Sequence, residues 1–216
     1  MIITIDGPAG SGKSTVANIL SGKLNFIHFN SGMIFRSITA YLLDIKFDIN
    51  SITETSFIPQ LNLKVEMKDN TQQVFVNGLN YSSILRSVEV SNVVSSISLN
   101  ENIQKIAQTC IKDFCNRNNV VVDGRGVGST MFPNADYKFY LDCSVKERAK
   151  RRFLEDKNKE NCLSLTEMET LIEERDRLDR ERATAPLVVP ENAIIIDSTN
   201  LSIEQVVESI YNHIIR

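Results

Sequence analysis

Apolar runs of four or five residues alternate along the chain with longer stretches in which apolar positions recur at helical spacing. Runs without polar alternation fit strands buried on both faces, and their alternation with helices predicts βαβ units and a mainly parallel sheet. The predicted strands are Ile2 to Ile5, Phe26 to Phe29, Val120 to Val122, Lys138 to Leu141 and Ala193 to Ile196. Helix starts follow from a hydroxyl and a carboxyl or amide three residues apart, which together satisfy free backbone amides in the first turn. Ser144 with Glu147, Thr166 with Glu169 and Ser202 with Gln205 predict helices near 145–156, 167–182 and 203–215.

One region breaks the rhythm. Leu61 to Met67 has a period of two, Lys68-Asp69-Asn70-Thr71 reads as a turn, and Val74-Phe75-Val76 resumes the extended pattern. This predicts an antiparallel hairpin inserted in the α/β core. Val88 to Arg117 then reads as helical, with a break near Leu99-Asn100.

Composition narrows the class. A length of 216 residues suits one α/β domain, and 42% hydrophobic with 24% charged residues excludes disordered and fibrous chains. The net charge of -3 argues against a general nucleic-acid binder. Met1 to Asp6 lacks a basic leader, and the apolar runs fall far short of the roughly 18 residues of a membrane helix, so a soluble, cytoplasmic, monomeric protein is expected. Cys110, Cys115, Cys143 and Cys162 form no C-x-x-C pair and read as reduced thiols.

Directly after the first strand comes Gly7-Pro8-Ala9-Gly10-Ser11-Gly12-Lys13-Ser14-Thr15, a complete G-x-x-x-x-G-K-[ST] with helix-like Val16 to Leu20 behind it. Such a loop cradles phosphate oxygens with backbone amides at a helix N-terminus, while Lys13 reaches the β and γ oxygens and Ser14 ligates Mg²⁺. Asp123, ending its strand, is the candidate second carrier of Mg²⁺, through water. Asp123-Gly124-Arg125-Gly126 also fits the D-x-x-G of a GTPase switch, but the guanine-reading motif is missing: Asn158-Lys159-Glu160-Asn161 has an amide where the carboxylate must be.

Seven of the twelve arginines lie between Arg148 and Arg182. Arg148, Arg151 and Arg152 share one helical face, and Arg175, Asp179 and Arg182 share another. Their acidic neighbours allow a salt-bridged surface; beside a phosphate loop, the same guanidinium groups suit the spread charge of a transferring phosphoryl group. Asn30-Ser31-Gly32-Met33-Ile34-Phe35-Arg36 closes the second strand, with Ser31 as the expected helix cap and Arg36 one turn on. Ser31 and Arg36 could hold a monophosphate opposite the loop.

At these residues the chain resembles the bacterial cytidylate kinases of the nucleoside monophosphate kinase superfamily. The segments that carry the likeness are Ile3 to Thr15, Ser31 to Arg36, Asp123-Gly124-Arg125, Arg175-Asp176, Asp179 to Arg182, Ala185-Pro186-Leu187 and Asp197-Ser198-Thr199. The resemblance implies a P-loop kinase fold with a five-stranded parallel sheet flanked by helices, an antiparallel hairpin that adenylate kinases lack, and a short helical lid. It implies a core over about 1–35, 117–149 and 166–216, a monophosphate-binding region over about 36–116 and a lid near 150–165. It also implies ATP and Mg²⁺, with CMP or dCMP as acceptor; another small-molecule P-loop kinase, acting on UMP or a non-nucleotide acceptor, and a non-catalytic nucleotide-binding module are the alternatives. Carried over by position, Gly7 to Thr15 would bind ATP, and Ser31, Arg36, Arg125 and Arg182 the acceptor phosphate. Arg175 and Asp179 would hold the sugar and Ser95 the cytosine, while Arg148 and Arg152 would touch the transferring phosphate. Phe35, Gly126 and Gln104 stand where the family usually has Tyr, Asp and Arg. The last two positions are associated with reading the base, so weaker discrimination against UMP is expected.

Overall fold

Val120, Val121 and Val122 show how the centre is built: the first and third side chains enter one apolar cluster, the second enters another, and all three are fully buried. A strand covered on both faces has no reason to alternate with polar residues, which is why it reads as a continuous apolar run. The structure, a computed structural model, describes residues 1–49, 52–53, 58–156 and 163–215. In chain order its elements are β1 (Ile2–Asp6), α1 (Lys13–Leu24), β2 (Ile27–Asn30), α2 (Ser31–Asp44), β3 (Leu63–Lys68), β4 (Thr71–Val76), β5 (Leu79–Asn80), α3 (Val88–Ile97), α4 (Glu101–Cys115), β6 (Val120–Gly124), β7 (Tyr137–Asp142), α5 (Val145–Asp156), α6 (Leu165–Glu181), β8 (Ile194–Asp197) and α7 (Ile203–Ile214).

The five expected strands form one parallel sheet in the order β2-β6-β1-β7-β8. On one face, Val16, Ala17 and Leu20 of α1 and Val206, Val207 and Ile210 of α7 pack on Ile3, Ile5 and Phe139. On the other, Ile34, Ile38 and Leu42 of α2 and Ile103, Ala107 and Ile111 of α4 pack on Val120 and Val122. Both clusters stop at the carboxyl ends of β1, β2 and β6, where the loops carry polar groups, the usual place for a ligand in such a sheet. No helix among the described residues is long and apolar enough to cross a membrane.

The inserted segment is a three-stranded antiparallel sheet, β3-β4-β5, rather than a two-stranded hairpin. Asp69 and Asn70 both take positive φ between the paired Lys68 and Thr71, as a two-residue primed turn needs. The third strand has only two residues, too few to show a period. Val74 and Val76 of β4 join the second core cluster, so the insert is packed onto the domain.

Three local expectations change. The cap of α2 is Asn30, whose Oδ1 accepts from the Met33 amide at 3.2 Å; Ser31 is the first helical residue, and its hydroxyl instead donates to the backbone oxygen of Asp123 at 2.8 Å. The box on α6 is Ser164 with Glu167, not Thr166 with Glu169. Leu163, just before that cap, packs in one cluster with Met168, and this staple fixes the earlier start. Ser144 accepts from the Glu147 amide, but its own amide turns to Thr199 and the Glu147 carboxylate to Arg151, so only half of that box forms. Of the region read as a lid, residues 157–162, with Cys162, lie outside the described residues; the other three cysteines are free thiols.

Candidate active site

At the end of β1 the chain turns at Gly7, where a Cβ would overlap the carbonyl oxygen of Leu141 on β7. Only glycine lets the loop pass so close to the next strand. The loop ends at Gly12, which caps α1 without any side-chain hydrogen bond, so the helix presents its first-turn amides uncapped by a side chain. Uncapped amides at the positive end of a helix form an anion site. Lys13 is buried there; its Nζ donates to Pro8 O at 2.6 Å and to Ser11 Oγ at 3.3 Å. Burial, reinforced by the nearby Arg125, pulls its pKa down to about 7.

Beside the loop, the Ser14 hydroxyl donates to Asp123 Oδ2 at 2.6 Å and accepts from Asn30 Nδ2 at 3.0 Å. His28 Nε2 bonds the other carboxylate oxygen of Asp123 at 2.7 Å. Parallel pairing of β2 with β6 sets Asn30 opposite Asp123, and His28, two residues earlier, shares the face of Asn30. Ser14 and Asp123, the two candidate carriers of Mg²⁺, are thus brought together. Hydroxyl and carboxylate oxygens suit a hard divalent cation such as Mg²⁺. Sequence reasoning did not find His28 and Asn30, although polar residues at i and i+2 closing a strand are a legible signal.

The acceptor side is built by α6, α2 and the segment after β6. Asp179 is ion-paired with Arg125, and Arg182 Nη1 lies 3.8 Å from its other oxygen. Among the described residues, the Nε atoms of Arg175 and Arg182 and Nη2 of Arg182 are buried without a hydrogen-bond partner. A donor buried unpaired is costly by roughly 1–3 kcal/mol, and more when charged, so such a cluster calls for an anion. Arg36 donates to Leu85 O at 2.8 Å and Ser91 Oγ at 3.1 Å. Burial and the charges of Arg125, Arg152 and Arg86 bring its pKa down to about 10; burial and Arg125 bring that of Arg175 down to about 9. Arg182 is lowered too, first by burial. These arginines stand in one another's field.

Other expected residues sit differently. Arg148 is only 2% exposed and is bonded to Cys143 O at 2.8 Å, Ala9 O at 3.1 Å and Asp176 Oδ2 at 2.7 Å. It braces the phosphate loop from behind instead of joining the arginine cluster. Arg152 is exposed, 3.4 Å from Glu155, yet close enough to depress Arg36 and Arg175. Arg177 is a surface residue paired with Glu174 and Glu181, the bland outcome open to any of these arginines. Ser95 is half-buried on α3, which packs against α6. Gln104 is buried and donates to Ser98 O at 2.7 Å. At Gly126, φ is 68° and a Cβ would lie 2.7 Å from Ala185 O. Asp6, at the end of β1, accepts from the Val127 and Gly128 amides at 2.8 and 2.7 Å and so anchors the turn that follows Arg125; burial raises its pKa.

Ser14 of the loop bonds Asp123, and Arg125, two residues further on, pairs with Asp179, so the phosphate loop and the arginine cluster adjoin. A phosphoryl group passing between two phosphates needs that adjacency, and the class so defined is a P-loop kinase whose acceptor is itself a phosphate. The family model described as cytidylate kinase matches residues 3–216, and the chain belongs to that family. It is 38% identical over 210 residues to the cytidylate kinases of Bacillus thuringiensis strain Al Hakam and Bacillus cereus strain AH187, covering 96% of this chain and 93% of each relative. Among solved structures, a shikimate kinase from Bacteroides thetaiotaomicron shares the fold with a TM-score of 0.55 at 11% identity, over 100% of this chain and 99% of that one.

Proposed function

We propose that the protein transfers the γ-phosphoryl group of ATP to CMP or dCMP, giving ADP and CDP or dCDP. One observation carries the reading: the buried, unpaired donors of Arg175 and Arg182 beside a complete phosphate loop. The loop and Lys13 hold the β and γ oxygens of ATP. Ser31, Arg36, Arg125 and Arg182 hold the acceptor phosphate, with Arg175 and Asp179 at the sugar and Ser95 at the base. An oxygen of that phosphate forms a bond to the γ-phosphorus as the bond to the β–γ bridging oxygen breaks. The attacking oxygen is already anionic, so the site has to position and to neutralise rather than to remove a proton. Ser14, and Asp123 through water, would hold Mg²⁺, which when bound neutralises charge on the β and γ oxygens. Arg148 keeps the loop in shape, while Arg152, from the lid over about 150–165, reaches the transferring phosphate.

A monomer is part of this reading, and the free thiols fit a reducing cytoplasm. UMP is the second reading, because Gln104 is engaged with Ser98 O and Gly126 has no side chain to read the base. A coupled assay of ADP formation over CMP, dCMP, UMP and AMP decides. CMP and dCMP should turn over with the highest kcat/KM and UMP should follow; binding of CMP without turnover would make the protein a nucleotide-binding module.

A further inference from the structure

The Ser14 hydroxyl has one proton to donate and two lone pairs to accept with. In this structure the proton goes to Asp123 Oδ2 at 2.6 Å and one lone pair takes the Asn30 Nδ2 proton at 3.0 Å. One lone pair is left. The Asp123 carboxylate is fixed in turn at its other oxygen by His28 Nε2 at 2.7 Å; a carboxylate oxygen accepts, so the imidazole donates from Nε2. Asn30 is itself anchored, because the side-chain amide of Gln72 on β4 accepts from the Asn30 amide at 2.8 Å and donates to the Asn30 carbonyl oxygen at 3.3 Å. Gln72 is 5% exposed, and Asp123 is 3% exposed. The inserted sheet therefore reaches the loop through a continuous chain of hydrogen bonds, Gln72 to Asn30 to Ser14 to Asp123 to His28.

We propose that His28 and Asn30 are positioning residues for the divalent cation: His28 locks the Asp123 carboxylate, and Asn30 and Asp123 together set the Ser14 hydroxyl with one lone pair left for the metal. Groups that orient metal ligands from behind commonly change metal affinity by roughly 10- to 100-fold when removed. The inference rests on the assignment of Mg²⁺ to Ser14 and Asp123, and it extends that assignment to residues that touch neither metal nor nucleotide. His28 stands on β2, at one edge of the sheet, and is part-exposed, so its ring can be changed with little loss of core.

Mg²⁺ binding to the full-length protein saturated with a non-hydrolysable ATP analogue provides the test. His28→Phe keeps a ring and loses the donor, His28→Leu is a second donorless variant, and His28→Gln keeps an N–H donor. The apparent Kd for Mg²⁺ should rise about tenfold or more in His28→Phe and return most of the way in His28→Gln, while analogue affinity in EDTA and CMP affinity stay within about twofold of wild type. Equal Mg²⁺ affinity in all variants overturns the proposal, and so does an equal loss of Mg²⁺, CMP and metal-free nucleotide binding, which marks His28 as packing only. The wild type offers a reading that does not depend on a variant folding. The chain has two histidines, so their imidazole nitrogen resonances can be told apart. Adding Mg²⁺ to the analogue complex should shift those of His28 and leave those of His213 in place; an unmoved His28 contradicts the role. If the wild-type analogue complex shows no Mg²⁺ binding at all, the assignment of metal to Ser14 and Asp123 fails first, an outcome distinct from the others.

Discussion

The two halves of the site are held in opposite ways. On the loop side every key polar group has a protein partner before any nucleotide arrives: Lys13 rests on Pro8 O, Ser14 on Asp123, Asp123 on His28, and Arg148 on Ala9 O. On the acceptor side, Arg175 and Arg182 have buried donors with no hydrogen-bond partner among the described residues, and the charges of Arg125 and Arg152 depress Arg36 and Arg175. The first half is satisfied within the protein, whereas the second carries buried donors that the proposed acceptor phosphate would complete. A donor site can be prebuilt in this way because loop amides and a helix end attract phosphate without leaving any single group stranded. An acceptor site that must grip a mobile monophosphate tightly has to leave charged donors unpaired beforehand.

If the halves differ in this way, their variants should fail differently. The largest effect belongs to Lys13→Ala, which should lower kcat by roughly 10²- to 10³-fold or more while CMP binding and the melting temperature stay near wild type. Steady-state kinetics beside a melt checks it, and near-normal turnover in the folded variant would contradict the role of the loop. Next, Arg182→Lys keeps a charge but loses the planar fork, so kcat/KM for CMP should fall roughly 10- to 100-fold. Arg177→Ala, on the exposed face of the same helix, should leave kinetics within about twofold. Equal effects of the two would erase the distinction between gripping and decorative arginines.

Gly126→Asp comes third. Its Cβ would press on Ala185 O and its backbone is left-handed, so the change should destabilise by about 1–3 kcal/mol in a denaturant melt instead of sharpening discrimination against UMP, even combined with Gln104→Arg. The smallest effect is a proton count. Lys13 is lowered to about 7, so at pH 8.5 it is mostly neutral in the free protein and becomes charged against the phosphates, and ATP binding in EDTA should take up about one proton. Calorimetry in buffers of different ionisation enthalpy measures it; no uptake would mean that the loop lysine is already charged.

The loop side was the more legible in sequence because its parts are contiguous: Gly7 to Thr15 carry strand end, turn and helix start within one short segment. The five strands were legible for a similar reason, each being an apolar run buried on both faces. What escaped depends on contacts across the fold. Asn30 displaces Ser31 as the cap because Ser31 is drawn to Asp123, 92 residues away. Ser164 displaces Thr166 because Leu163 and Met168 pack together with Ala149. Arg148 and Arg152 on α5 and Arg177 on α6 are the same residue type, yet one braces the loop, one lies exposed near Arg36 and Arg175, and one pairs with acidic neighbours in solvent; the packing of α5 on α6 separates them. His28 is legible in sequence only as a polar strand residue, because its partner lies on another strand.

The contrast between the halves is tested most directly by melting the wild-type protein in EDTA without ATP, with CMP or with cytidine. With CMP at about 100 times its Kd the phosphate should satisfy the arginine donors and stabilise by about 2.7 kcal/mol, a rise of roughly 5–10 °C, whereas cytidine should give little. A rise with cytidine equal to that with CMP, or none with CMP until ATP is added, would contradict an acceptor half that stands ready for an anion.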